Sequence, residues 1–154
     1  MLKFLCLGLA TALGLAATAN GFFMLVAPQA WYFAIPGVTT TGPFNPHFVR
    51  DIGLIFLLIA AAFLGGAARP AARAVLWGAA TVWLTGHALF HLWEVATGIC
   101  SPSAIARDFP AVSLPALIGW GLTAWSLRRA PASPESAGGP RLATLKTSPK
   151  YEPR

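Results

Sequence analysis

The chain has 154 residues, 56% of them hydrophobic and only 10% charged, with a formal net charge of +6. A soluble globular domain usually carries about 25% charged residues, so this composition excludes an ordinary soluble enzyme. It points instead to an all-α integral membrane protein: a four-transmembrane-helix bundle over residues 1–129, followed by a disordered C-terminal tail over residues 130–154.

The first apolar segment spans residues 4–26. Residues 1–19 resemble a signal peptide, with Lys3, an apolar run and Ala17-Thr18-Ala19. The run continues through Gly21-Phe22-Phe23-Met24-Leu25-Val26, which favours an uncleaved anchor over a cleaved leader. Gly8, Gly14, Ala17 and Gly21 read as close-packing positions against another helix. A connector rich in Gly and Pro follows, with Trp31, Tyr32 and Phe33 at its start.

The second segment spans residues 46–66 and opens on Asn45-Pro46, an N-cap followed by proline at the first helical position. Gly65-Gly66 ends it, and Pro70 enforces a turn. The third spans residues 74–96. The fourth spans residues 110–127, where Asp108 before Pro110 repeats the capping signature and Pro115 predicts a kink. A bilayer span needs about 20 residues; the fourth is short.

Lys3, Arg69, Arg73, Arg128, Arg129, Arg141, Lys146, Lys150 and Arg154 fall at one end of this layout, against Arg50 and Arg107 at the other. By the positive-inside rule both termini are cytoplasmic. The basic balance is thus a topology signal, with the lipid bilayer as partner and no role for nucleic acid. A membrane-protein partner or a homo-oligomer fits the same composition. Cys6 and Cys100 fall at opposite ends of the membrane thickness and cannot bridge each other within one chain.

The third segment carries His87, His91 and Glu94 at offsets of four and three, all on one helix face. Ionisable groups in a span are costly and usually face the protein interior, where they often mark function. At a rise of about 1.5 Å per residue, Glu94 lies near the outer boundary, His91 about 9 Å deep and His87 about 15 Å deep. Asn20, His47, Arg50 and Asp51 reach the same outer layer. The expected pairs are Arg50 with Glu94 and Asp51 with His91.

Three readings follow. The layer is a polar network gluing helices together. Alternatively, His87, His91 and Glu94 hold a divalent metal in a membrane oxidoreductase component, since histidines at i, i+4 can share one ion. The third is a small-ligand pocket or proton-linked site, with the loop over residues 34–45 as a lid, Arg50 binding an anionic or carbonyl group and His91 or Glu94 relaying protons; the function expected on balance is small-ligand binding or service as an accessory subunit of a larger membrane complex. No nucleophile elbow, P-loop or dinucleotide fingerprint is present.

The stretch from Pro36-Gly37-Val38 through Thr41-Gly42-Pro43-Phe44-Asn45-Pro46-His47-Phe48-Val49-Arg50-Asp51-Ile52-Gly53, followed by the His-x-x-x-His-x-x-Glu helix, resembles a set of small uncharacterised bacterial four-helix membrane proteins. In size and layout the chain is also similar to the DoxX-like group, in architecture alone, since it lacks that group's Arg-rich helix start. The resemblance implies a multi-pass inner-membrane bundle over residues 1–129 and no defined chemistry.

Overall fold

A computed structural model describes residues 1–129, so the tail expected over residues 130–154 lies outside the described residues. Among the described residues there are six α-helices and two short 3-10 turns: α1 (Leu2–Val26), α2 (Pro28–Ala34), α3 (Pro46–Ala68), α4 (Arg73–Ala96), α5 (Ser103–Asp108) and α6 (Ser113–Leu127). No strand occurs among the described residues.

The long helices begin and end close to where the apolar runs place them, and local chemistry explains most ends. The Asn45 side chain accepts hydrogen bonds from the backbone N–H groups of His47 (3.0 Å) and Phe48 (3.2 Å), the expected N-cap of α3. The other end of α3 runs past Gly65-Gly66 to Ala68. There Arg73 donates to the carbonyls of Gly66 (2.9 Å) and Ala67 (3.2 Å), satisfying groups that every helix C-terminus leaves open. Pro115 is the third residue of α6, inside the first turn, where a missing N–H costs nothing. The kink expected from it has no cause at that position.

α1 packs antiparallel on α3, the most extensive helix pair, along a seam of small residues. A Cβ on Gly14 would stand 2.6 Å from Leu64 Cγ, and one on Gly21 would stand 2.8 Å from the Gly53 carbonyl oxygen. Gly53 itself lies against Met24. The backbones therefore touch, as small-residue seams allow. Gly8 departs from the expectation: a Cβ there meets nothing within 4 Å.

α3 packs on α4 through Phe63 and Trp77, both wholly buried; the Trp77 indole N–H donates to the Phe63 carbonyl at 3.0 Å. α4 packs antiparallel on α6 through Thr81, whose hydroxyl donates to the Trp77 carbonyl (2.7 Å) and lies 3.3 Å from the Thr123 hydroxyl. At the basic end, the Arg73 guanidinium sits over Trp77 (5.3 Å) and Trp125 (5.6 Å), and Arg129 covers Trp125 (5.1 Å). Cationic stacking of this kind joins the start of α4 to the end of α6.

Among the described residues two helices, α1 and α3, are long and apolar enough to cross a membrane. α6 is short at 15 residues. α4 is long enough at 24 residues but carries Arg73, His87, His91 and Glu94.

Candidate functional site

The outer layer of polar residues does not assemble as expected. Arg50 does not meet Glu94; its Nε donates to the Leu25 carbonyl at 3.3 Å and closes the end of α1. Asp51 does not meet His91; it faces His47 one turn back, with Oδ2 3.3 Å from Nε2, and both side chains are exposed. The physical reason is azimuth. Residues at one depth share a layer, but α3 turns Val49, Gly53, Ile59, Ala60 and Phe63 inward, which leaves positions 50 and 51 on the outer surface. Asn20 is likewise occupied elsewhere, accepting from the Trp31 indole N–H at 2.9 Å and fastening α2 to α1.

The partner of His91 is Asp108. His91 Nδ1 lies 3.2 Å from Asp108 Oδ2, joining α4 to the end of α5. Arg107 grips the same carboxylate with both arms, Nε to Oδ1 at 2.6 Å and Nη2 to Oδ2 at 3.0 Å. Asp108 does not cap α6, which starts five residues later at Ser113. Its side chain instead closes a chain of imidazole, carboxylate and guanidinium. A carboxylate on one ring nitrogen fixes the tautomer and orientation of a histidine and leaves the other nitrogen as an acceptor. Beneath this clasp is a cavity of about 10 Å³, lined by His91, Val95, Ala104, Ile105, Asp108 and Ser113; that is room for one water.

The clasp also reaches the α2–α3 loop. Gly37 has φ 88°, in the left-handed region, and a Cβ on it would overlap the Arg107 guanidinium. Both conformation and space therefore require glycine there. Tyr32 holds the same loop by donating to the Gly42 carbonyl at 2.6 Å. Gly37→Ala is expected to lower stability by about 1–2 kcal/mol for the left-handed backbone alone, and to push Arg107 off its seat. Thermal unfolding in detergent checks this; an unchanged Tm would contradict the contact.

Hydrogen bonds from Arg107 hold the Asp108 carboxyl below the usual carboxylate range. Partial burial opposes them, while the Arg107 charge and then His91 add to the lowering. The same hydrogen bond raises the Arg107 guanidinium. A carboxyl lowered on folding contributes stability above its unfolded pKa of about 3.9 and loses it as pH falls through the lower folded value. The Tm gap between the wild type and Asp108→Asn is therefore expected to be open at pH 5–7 and to close below about pH 4. A gap that widens on acidification would contradict the clasp.

His87 lies one turn before His91 on α4. Its ring stacks on Trp83 (centroids 5.0 Å apart, 18° between planes) and meets His91 edge to face at 4.7 Å. It makes no side-chain hydrogen bond or ion pair among the described residues. Glu94 is buried, and its carboxylate likewise pairs with no described residue; its backbone carbonyl accepts from Ile99 (2.9 Å) and Cys100 (3.1 Å) to close the end of α4. Among the described residues no three His, Cys, Asp or Glu side chains are grouped to hold a metal ion, so His87, His91 and Glu94 do not form the expected three-ligand set. Cys6 and Cys100 are both free and buried.

Sequence reasoning missed Asp108 and Arg107 as site residues. The chain has two adjacent Arg-Asp pairs, Arg50-Asp51 and Arg107-Asp108, and nothing local in the sequence distinguishes the one that joins the site.

No family model matches the chain, and neither the curated proteins nor the solved structures provide a match.

Proposed function

We propose that the protein is a multi-pass bacterial inner-membrane protein that binds a small ligand beside the paired histidines of α4. In this reading α1, α3, α4 and α6 all cross the bilayer, with both termini cytoplasmic and the clasp of His91, Asp108 and Arg107 on the periplasmic side.

Several features support the membrane part. The most apolar stretches of α1 and α3 bury only 22% and 28% of their residues inside the protein. Phe4, Leu15, Phe22, Leu54, Leu58, Val75, Val82 and Leu89 are all exposed, a surface that suits lipid and not water. α4 at about 36 Å is long enough to span; in this reading its His87, His91 and Glu94 lie in the outer half and Arg73 sits at its inner end. α6, at about 22 Å, is short for a hydrocarbon core of about 30 Å, and local thinning of the bilayer accommodates such a helix.

The observation that carries the ligand reading is the inequality of the two histidines. His91 is anchored by Asp108, whereas His87 is deeper and has no protein hydrogen-bond partner among the described residues. A polar ring left without a partner in hydrocarbon is costly. A bound molecule that completes its hydrogen bonding offsets that cost, and an orienting neighbour such as His91 keeps the ring in place.

Native mass spectrometry of protein released gently from its own membrane tests this. The wild type should carry an added small-molecule mass that His91→Ala loses while helix content is retained. A bare chain mass in both would overturn the ligand reading. Recovery of the chain in the soluble fraction after an alkaline carbonate wash would overturn the membrane reading.

A further inference from the structure

Lys3, Arg69, Arg73, Arg128 and Arg129 gather at one end of the molecule, where α1 and α4 start and α3 and α6 finish. The acidic side chains among the described residues are Asp51, Glu94 and Asp108, near the start of α3 and the ends of α4 and α5, all at the opposite end. None of the five cations forms an ion pair among the described residues. Their charge is therefore uncompensated within residues 1–129.

Two of the five are held in place. The Arg73 guanidinium lies 5.3 Å from the ring centre of Trp77 and 5.6 Å from that of Trp125, and the Arg129 guanidinium lies 5.1 Å from the Trp125 ring. The two indoles stack with centroids 6.1 Å apart, so one aromatic platform seats both cations. Arg73 gives one N–H each from Nε and Nη2 to the carbonyls of Gly66 and Ala67; a guanidinium has five such donors, which leaves three. The Trp125 indole N–H is buried and has no hydrogen-bond partner among the described residues. Seated guanidiniums with donors left over suit the oxygens of a phosphate. Val75 (75% exposed) and Leu127 (60% exposed), each two residues from one of these arginines, put apolar surface beside them.

We infer that Arg73 and Arg129, on the platform of Trp77 and Trp125, bind the phosphate of an anionic phospholipid headgroup, with the acyl chains against Val75 and Leu127. The uncompensated cations favour a headgroup of net negative charge, since a zwitterionic one brings its own cation to the cluster. The apolar flanks favour a lipid over free phosphate. In the topology proposed above this end faces the cytoplasm, where anionic headgroups attract basic residues. The inference rests on the membrane part of that reading and is independent of the ligand at His87.

The probes are phosphatidylglycerol and phosphatidylcholine with the same acyl chains, offered in equal amounts to the full chain in detergent, with native mass spectrometry counting each adduct. The wild type should favour phosphatidylglycerol roughly 25-fold, about fivefold for each seated arginine. Arg129→Gln, an exposed position whose loss leaves the core intact, should lower the preference about fivefold. Arg128→Gln removes the same charge from a side chain that does not lie over the platform, and should leave the preference nearly unchanged. Equal adducts of the two lipids in the wild type would overturn the inference. So would equal losses in Arg129→Gln and Arg128→Gln, which would mean a diffuse field and no site. Displacement of the bound lipid by a large excess of inorganic phosphate would identify a free-phosphate site and overturn the lipid assignment; no displacement is expected. Glu135→Gln combined with Glu152→Gln should change nothing, and a rise in lipid binding there would make the chain's own carboxylates the occupant. If the chain stays in carbonate-washed membranes while the two lipids bind equally, the headgroup site fails and the membrane reading stands.

Discussion

Trp77→Ala is expected to cost about 3–5 kcal/mol, the usual range for removing a buried tryptophan. Three contacts disappear together. The indole is wholly buried against Phe63, which is itself wholly buried. It stacks on Trp125 with centroids 6.1 Å apart, and it lies beneath the Arg73 guanidinium at 5.3 Å. A Cβ on Gly66 would stand 2.5 Å from Trp77 Nε1, so the α3 backbone is fitted to this ring. In the proposed membrane setting, lipid would give the helices no hydrophobic drive to associate, and packing of this kind would hold them together. Trp77→Phe separates the terms: it keeps most of the ring and removes the donor to the Phe63 carbonyl, for a loss of about 1 kcal/mol. Unfolding in mixed detergent, followed by circular dichroism, measures both. A Trp77→Ala loss no greater than that of Trp77→Phe would contradict the packing described.

Gly21→Leu should have the next largest effect. The new Cβ would stand 2.8 Å from the Gly53 carbonyl oxygen and 2.9 Å from Leu57 Cδ2. A backbone oxygen cannot rotate away as a side chain can, so α1 and α3 must separate. Overpacking typically costs about 1–3 kcal/mol, and backbone contact places this case at the upper end or above. Gly8→Leu, in the same helix with open space around its Cβ, is the internal control and should be close to neutral. Equal effects at the two positions would show that helix propensity, not the seam, governs α1.

The contrast between Gly8 and Gly21 also shows what the sequence could convey. Apolar run length located the long helices, and Asn45-Pro46 marked the start of α3, because span length and capping are local properties. The small residues of α1 identified a seam, but they could not show where the seam stopped. α5 was invisible, since a six-residue helix has too short a period to read. Asp108 illustrates a harder limit. Its position ahead of Pro110 matched a capping signature, yet its carboxylate is held by Arg107 and His91. A local motif competes with tertiary partners that the sequence does not reveal.

The site was legible in part for a related reason. Spacing placed His87 and His91 on one face, and the structure brings their rings together at 4.7 Å. Depth arithmetic then gathered Arg50, Asp51, His91 and Glu94 at one height. Height along a helix is fixed by residue number, whereas facing depends on how the helix is rotated against its neighbours. Arg50 and Asp51 face away from α4 and serve the start of α3 and the end of α1. Only the third dimension distinguishes a shared layer from a shared site.

In the proposed topology the clasp of His91, Asp108 and Arg107 lies on the periplasmic side and the basic end formed by Arg73 and Arg129 on the cytoplasmic side. Single cysteines at Ser103 and at Arg128, in a chain with Cys6 and Cys100 replaced by alanine, test it most directly in intact cells with a membrane-impermeant thiol reagent. Ser103 is in α5 beside the clasp, and Arg128 follows α6 at the opposite end. Ser103→Cys should be labelled from outside, and Arg128→Cys only after the membrane is opened. Labelling of both from outside, or of Arg128→Cys alone, would contradict that topology.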